Sequence, residues 1–122
     1  MSGFGVASIV AGVTFLVHTF VGSRYVVAPL LASEGLPPIS RWMMFYCWHM
    51  TTVTLAAMTA GFAWGEWGVA PAGLGVLLTG LAATFAALCL YVCLRSGLIL
   101  WRVPAMVLFA LITAAGAWSV FA

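Results

Sequence analysis

Ala70 to Leu94 reads APAGLGVLLTGLAATFAALCLYVCL, 25 consecutive residues without a charge. A helix that crosses the hydrocarbon core of a bilayer needs about 20 mostly apolar residues, and this run exceeds that. It is too long for a buried strand, and Pro71 suits a position in the first helical turn. Three further apolar runs lie around it: Phe4 to Gly22, Trp42 to Trp64 and Pro104 to Phe121. The segments between the runs carry the breakers. Ser33-Glu34-Gly35-Leu36-Pro37-Pro38 cannot be helix interior, Gly65-Glu66-Trp67-Gly68 reads as a tight turn, and Ser96-Gly97 interrupts Arg95 to Val103. Tyr25 to Leu31 is apolar and either lies along the interface or extends the first helix, while Ser40 suits the N-cap of the second. The fold class is all-α: an integral membrane bundle of four transmembrane helices. One domain covers residues 1–122, with spans at about 4–22, 42–64, 70–94 and 104–121.

Composition agrees. Hydrophobic residues make up 66% of the chain and charged residues 5%, against about 25% charged in an average soluble domain. A soluble fold of 122 residues has too much surface for its volume to hide that apolar content. This excludes a soluble catalytic domain, a secreted disulfide scaffold, a disordered chain and a nucleic-acid partner. The lipid bilayer is the partner that composition names. The chain has no Lys, Asp, Asn or Gln, and its charges are Arg24, Arg41, Arg95, Arg102, Glu34 and Glu66. The arginines flank the first and third connections, which share a side in a four-span chain. The positive-inside rule assigns that side to the cytoplasm, so both termini are expected on the non-cytoplasmic side. Trp42, Trp64, Trp67, Trp101 and Trp118 fall near span ends, where an aromatic belt belongs.

Helices in lipid associate through small residues and occasional polar contacts. The stripes that predict contact are Ala7, Ala11, Thr14, His18, Gly22 on the first helix and Phe45, His49, Thr52, Ala56, Thr59 on the second. The third is small on two faces, through Gly73, Gly80, Thr84, Ala87 and through Gly75, Thr79, Ala82, Ala86, which predicts neighbours on both flanks. The fourth offers Met106, Ala110, Thr113, Ala117. Leu78 is expected to face lipid.

Two residues stand out chemically. His18 and His49 are ionisable groups within apolar runs, which makes them functional candidates by default. On antiparallel neighbouring helices they are candidate axial ligands to a b-type haem, or separate contacts to a quinone or pigment. The plainer alternative is a pair of neutral histidines hydrogen-bonded to nearby hydroxyls and carbonyls, with Thr14 and Thr52 at hand. Cys89 and Cys93 share a face at i, i+4, and Cys47 sits nearly opposite His49 on its helix; packing is the simplest role for all three. No span contains an acid. The small multidrug transporters need a Glu in the first helix, and the small fluoride channels need an Asn; neither is present. No carboxylate is placed to orient a Ser/His pair, so the chain is not expected to be an enzyme.

His18-Thr19-Phe20-Val21-Gly22, then Pro29-Leu30, then Trp48-His49-Met50-Thr51-Thr52 resembles a pattern in small four-span bacterial inner-membrane proteins of unassigned activity. The likeness covers roughly the first half of the chain. In that group an acid is expected soon after the glycine, whereas Arg24 follows Ser23 here. The resemblance implies a multi-pass protein of the bacterial inner, cytoplasmic membrane and names no activity. The leading functional expectation is a non-catalytic accessory or structural subunit, packed against other membrane-protein subunits of a larger respiratory or photosynthetic complex. The runner-up is a protein that binds haem or another lipophilic cofactor through His18 and His49.

The arginine asymmetry carries a direct test. A reporter fused after Ala122 should be active only on the non-cytoplasmic side. Cytoplasmic activity of that fusion would reverse the assigned topology.

Overall fold

A computed structural model describes residues 1–122, the side chain of Ala72 excepted. Four long helices and one short 3₁₀ turn follow each other, with no strand among the described residues. We label the helices α1 (Gly3–Ala32), α2 (Pro38–Glu66), α3 (Ala72–Ser96) and α4 (Pro104–Phe121). The 3₁₀ turn is Leu100–Arg102. The described elements therefore match the expected four helices in number and order. Gly97, at φ 71°, ends α3 in the left-handed conformation that glycine adopts without a Cβ penalty.

Three of the four helices are long and apolar enough to cross a membrane: Gly3–Ala32, Gly73–Ser96 and Pro104–Phe121. The expected span at 42–64 is fully helical, but α2 is more polar than the others because it carries His49, Thr51, Thr52, Thr54 and Thr59. The threonines satisfy themselves. Thr51, Thr52, Thr54 and Thr59 each donate their hydroxyl to the carbonyl four residues back, at 2.8–3.1 Å. Bonds of this kind remove the cost of an unpaired hydroxyl in an apolar setting.

α1 runs ten residues beyond its expected end, so Tyr25 to Leu31 extends the helix. The extension includes Pro29, which lacks an N–H and crowds the preceding turn. It follows Val17–Val27, which is wound as a π-helix, with the Ala28 amide donating to the Ser23 carbonyl. π-turns are rare and mostly short, so eleven residues mark this segment out. Ser40 does not cap α2, because the helix starts at Pro38 with Pro37 as its N-cap. Pro71 is itself the N-cap of α3.

α1 packs extensively against α2 and α4, and α3 packs extensively against α4; α3 meets α2 through a smaller contact, Leu78 against Gly61, and meets α1 where Gly75 faces the Phe4 ring. The core joins Ala7 and Ala11 to Leu55, Met58, Phe62, Leu78, Ala82, Phe109 and Ile112. The α1 stripe faces inward as expected. On α3, Gly75, Thr79, Ala82, Ala86 is the inward stripe, while Gly73, Gly80, Thr84 and Ala87 are exposed. Leu78 is buried, contrary to the lipid-facing expectation. On α2 the expected stripe lies at the margin; Leu55, Met58 and Phe62 fill the core. On α4 the core face is Phe109, Ile112 and Gly116, and Ala110 is exposed.

Glu66 closes one end of the bundle. Its carboxylate accepts from the Ser2 amide at 2.9 and 3.2 Å, from the Gly5 amide at 2.9 Å and from the Ser2 hydroxyl. The Phe4 amide donates to Ser119 Oγ of α4 at 2.9 Å. The first amides of α1 lack intrahelical acceptors, and a negative charge there also suits the helix dipole. The Ser2 hydroxyl, then the Ser2 and Gly5 amides, hold the Glu66 carboxyl below its usual 4.5. A depressed carboxyl stabilises the fold above its unfolded pKa and loses that contribution as pH falls through the folded value. Thermal stability in detergent should therefore drop as pH falls below about 4.5. Glu66→Gln should flatten that dependence; an unchanged acid profile in the variant would remove Glu66 from the account.

Candidate functional site

A groove of about 510 Å³ opens between α1, α2 and α4, in the half of the bundle away from Glu66. Its volume falls within the roughly 300–1,000 Å³ of small-molecule sites. α1 lines it with Thr14, His18, Gly22 and Tyr25, mostly from the π-helical segment. Trp48, Thr51 and Leu55 come from α2, and Arg102, Leu108 and Phe109 from the last connection and α4. The deep end, at Leu55 and Phe109, is buried. Tyr25 and Arg102 are exposed at the outer end.

The wall between α1 and α2 is a stack. The His18 and Trp48 rings lie 3.8 Å apart at 16°. His18 Nε2 lies 3.2 Å from the Trp48 carbonyl oxygen. A carbonyl only accepts, so this contact assigns the imidazole proton to Nε2. The same carbonyl accepts from Thr52 Oγ at 3.1 Å. The indole fits because residue 22 is glycine; a Cβ there would lie 2.5 Å from the edge of the Trp48 ring.

Of the two histidines, His18 lines the groove and His49 does not. His18 is half-buried in the groove wall, while His49 is exposed, outside the groove, and edge-on to Phe45 at 4.5 Å. Of the hydrogen-bond partners expected for the histidines, Thr14 instead donates to its own Val10 carbonyl. Cys93 is buried, Cys89 half-buried and Cys47 exposed. Among the described residues, no group of three or more His, Cys, Asp or Glu could hold a metal ion.

Trp48 and Arg102 are the residues that sequence reasoning missed. Trp48 stands mid-helix, outside the belt positions, and that displacement was the available signal. Arg102 was read for topology alone. Of the other arginines at this end, Arg41 is structural, since its Nη1 donates to the Ser33 and Leu31 carbonyls at 3.1 and 3.4 Å and so holds the exit of α1. Neither Glu34 nor Glu66 lines the groove beside Arg102.

The site thus belongs to an all-α bundle with three helices apolar enough to span a membrane, grooved on one side. No family model matches the chain, and neither does any curated protein or solved structure.

The stack separates the two histidines experimentally. Gly22→Leu should overpack against Trp48 and lower stability by about 1–3 kcal/mol, read as a fall in melting temperature in detergent. His49→Gln should leave that temperature unchanged. Equal melting of the Gly22 variant and the parent would disprove the close contact.

Proposed function

We propose that this chain is a non-catalytic integral membrane protein that holds a lipophilic molecule in the groove between α1, α2 and α4. The observation that carries this reading is the groove's polarity: apolar where α1, α2 and α4 meet, with Tyr25 and Arg102 at its outer end. Small-molecule sites are commonly apolar cavities with a few placed polar groups. No carboxylate lines the groove, so it lacks the acid–base pair that a hydrolytic or proton-coupled role needs. The exposed side chains at its rim face the surroundings of the bundle, so a molecule dissolved in the bilayer enters from the side. We place the protein in the bacterial inner membrane, with the arginine-bearing end toward the cytoplasm and both termini outside, on the arginine asymmetry.

A second reading is an accessory subunit beside a larger respiratory or photosynthetic complex. One observation favours it. Gly73 and Gly80 on α3 point outward with nothing within 4 Å of an added Cβ, and Thr84 and Ala87 continue that face. Small residues let another helix approach closely.

Solvent extraction of protein purified in a mild, lipid-free detergent tests the first reading. A stoichiometric lipophile should be recovered from the parent and lost from Leu108→Trp, which fills the groove. An absorption spectrum before and after dithionite identifies a haem, which would restore the ligand role of His18. Gly80→Leu tests the second reading. It should keep the parent's melting temperature yet shift native-gel migration from a large complex to the free protein; unchanged migration counts against that seam.

A further inference from the structure

We propose that the groove binds an anionic phospholipid, with its phosphate at Arg102 and an acyl chain laid toward Leu55 and Phe109. This rests on the groove reading above and adds the ligand's chemical class.

The groove has the polarity gradient of such a lipid. Its charged residue, Arg102, lies in the connection just before α4, at the end of the bundle that also carries Arg24, Arg41 and Arg95. Its deep wall, near mid-helix, is Leu55 and Phe109, both buried. From Tyr25 to Thr14 the wall extends eleven residues along α1, roughly 15 Å at helical rise. That length carries a chain from headgroup depth toward the middle of the hydrocarbon core, itself about 30 Å thick.

The charge is available to a ligand. Arg41 is committed to the carbonyls of Leu31 and Ser33. Glu66 is bound to Ser2 and Gly5 at the opposite end. Neither acid of the chain lines the groove with Arg102. A guanidinium matches phosphate in both charge and fork geometry. Basic pockets between membrane helices at the headgroup level are recognised sites for anionic lipid. A neutral quinone or sterol would leave this cation unmatched.

The test is native mass spectrometry of the full chain, delipidated and then offered phosphatidylglycerol or phosphatidylcholine with identical acyl chains. The parent should retain phosphatidylglycerol about fivefold better, the increment of one cation at a membrane surface. Arg102→Gln should bring the ratio close to one while the fold, followed by melting temperature, stays intact. Arg95→Gln removes an exposed arginine at the same end but outside the groove, and should leave the ratio as in the parent. Leu108→Trp should reduce retention of both lipids. Equal retention of the two lipids by the parent overturns the anionic assignment and leaves the groove reading standing. A preference that survives Arg102→Gln, or falls equally in Arg95→Gln, replaces the local site with general surface attraction and likewise overturns it. Retention of neither lipid by the parent, with another lipophile recovered from the native protein, also rejects the phospholipid alone. Retention of nothing at all rejects both.

Discussion

The close approach of α1 to two neighbours organises the rest of the molecule. Ala7 and Ala11 are fully buried on one face of α1, and α1 packs extensively against both α2 and α4. Small residues on one helix require large ones opposite, because an interior packs to near-crystalline density. α2 and α4 supply them through Leu55, Met58, Phe62 and Ile112, all essentially inaccessible. α3 packs mainly on α4, where Thr79 meets Gly116, and it reaches α1 and α2 where Gly75 meets Phe4 and Leu78 meets Gly61. Its second small face then remains outside.

The two ends of the bundle are held differently, and the difference shapes the site. At the Glu66 end, amides of α1 and a serine of α4 converge in a network of hydrogen bonds that joins α1, α2 and α4. At the arginine end α1 widens into its π-helical segment, and its contact with α2 passes to the His18–Trp48 stack. α4 begins there at Pro104, after a single 3₁₀ turn. The helices are pinned at one end and spaced apart by rings and a widened backbone at the other. The groove lies in that second half.

Helix number and order were legible because long apolar runs and their Gly/Pro breakers are local signals. The lengths were not fully legible: Pro29 reads as a breaker, yet α1 continues through it, following the π-helical segment Val17–Val27. Facing was the weaker part. In a membrane bundle lipid is as apolar as the core, so hydrophobicity offers no contrast between Leu78, which is buried, and Leu77, which is 67% exposed. Two small stripes on α3 were both visible, yet nothing local says which one a neighbour consumes. On α2 the search for small residues passed over Leu55, Met58 and Phe62, whose burial follows from the small face of α1. His18 was legible as an ionisable group in an apolar run. Its partner Trp48 was not, since that contact depends on the register between two helices.

The groove and the arginine asymmetry share a physical origin. A wide opening deep in the hydrocarbon would leave its walls without dispersion contacts unless acyl chains or another apolar molecule filled it. A charge at that depth would be costly in its own right. Near the headgroups both costs fall, because chains and headgroups of the surrounding lipid can enter and a guanidinium can stay hydrated or paired. An opening between α1 and α4 is therefore best tolerated at a helix end, and an arginine is best tolerated at the same level. Arg102 meets both conditions by standing in the short connection that starts α4. The same residue is part of the groove wall. On the proposed reading, that charge is what selects anionic molecules over neutral ones among those that can reach the opening.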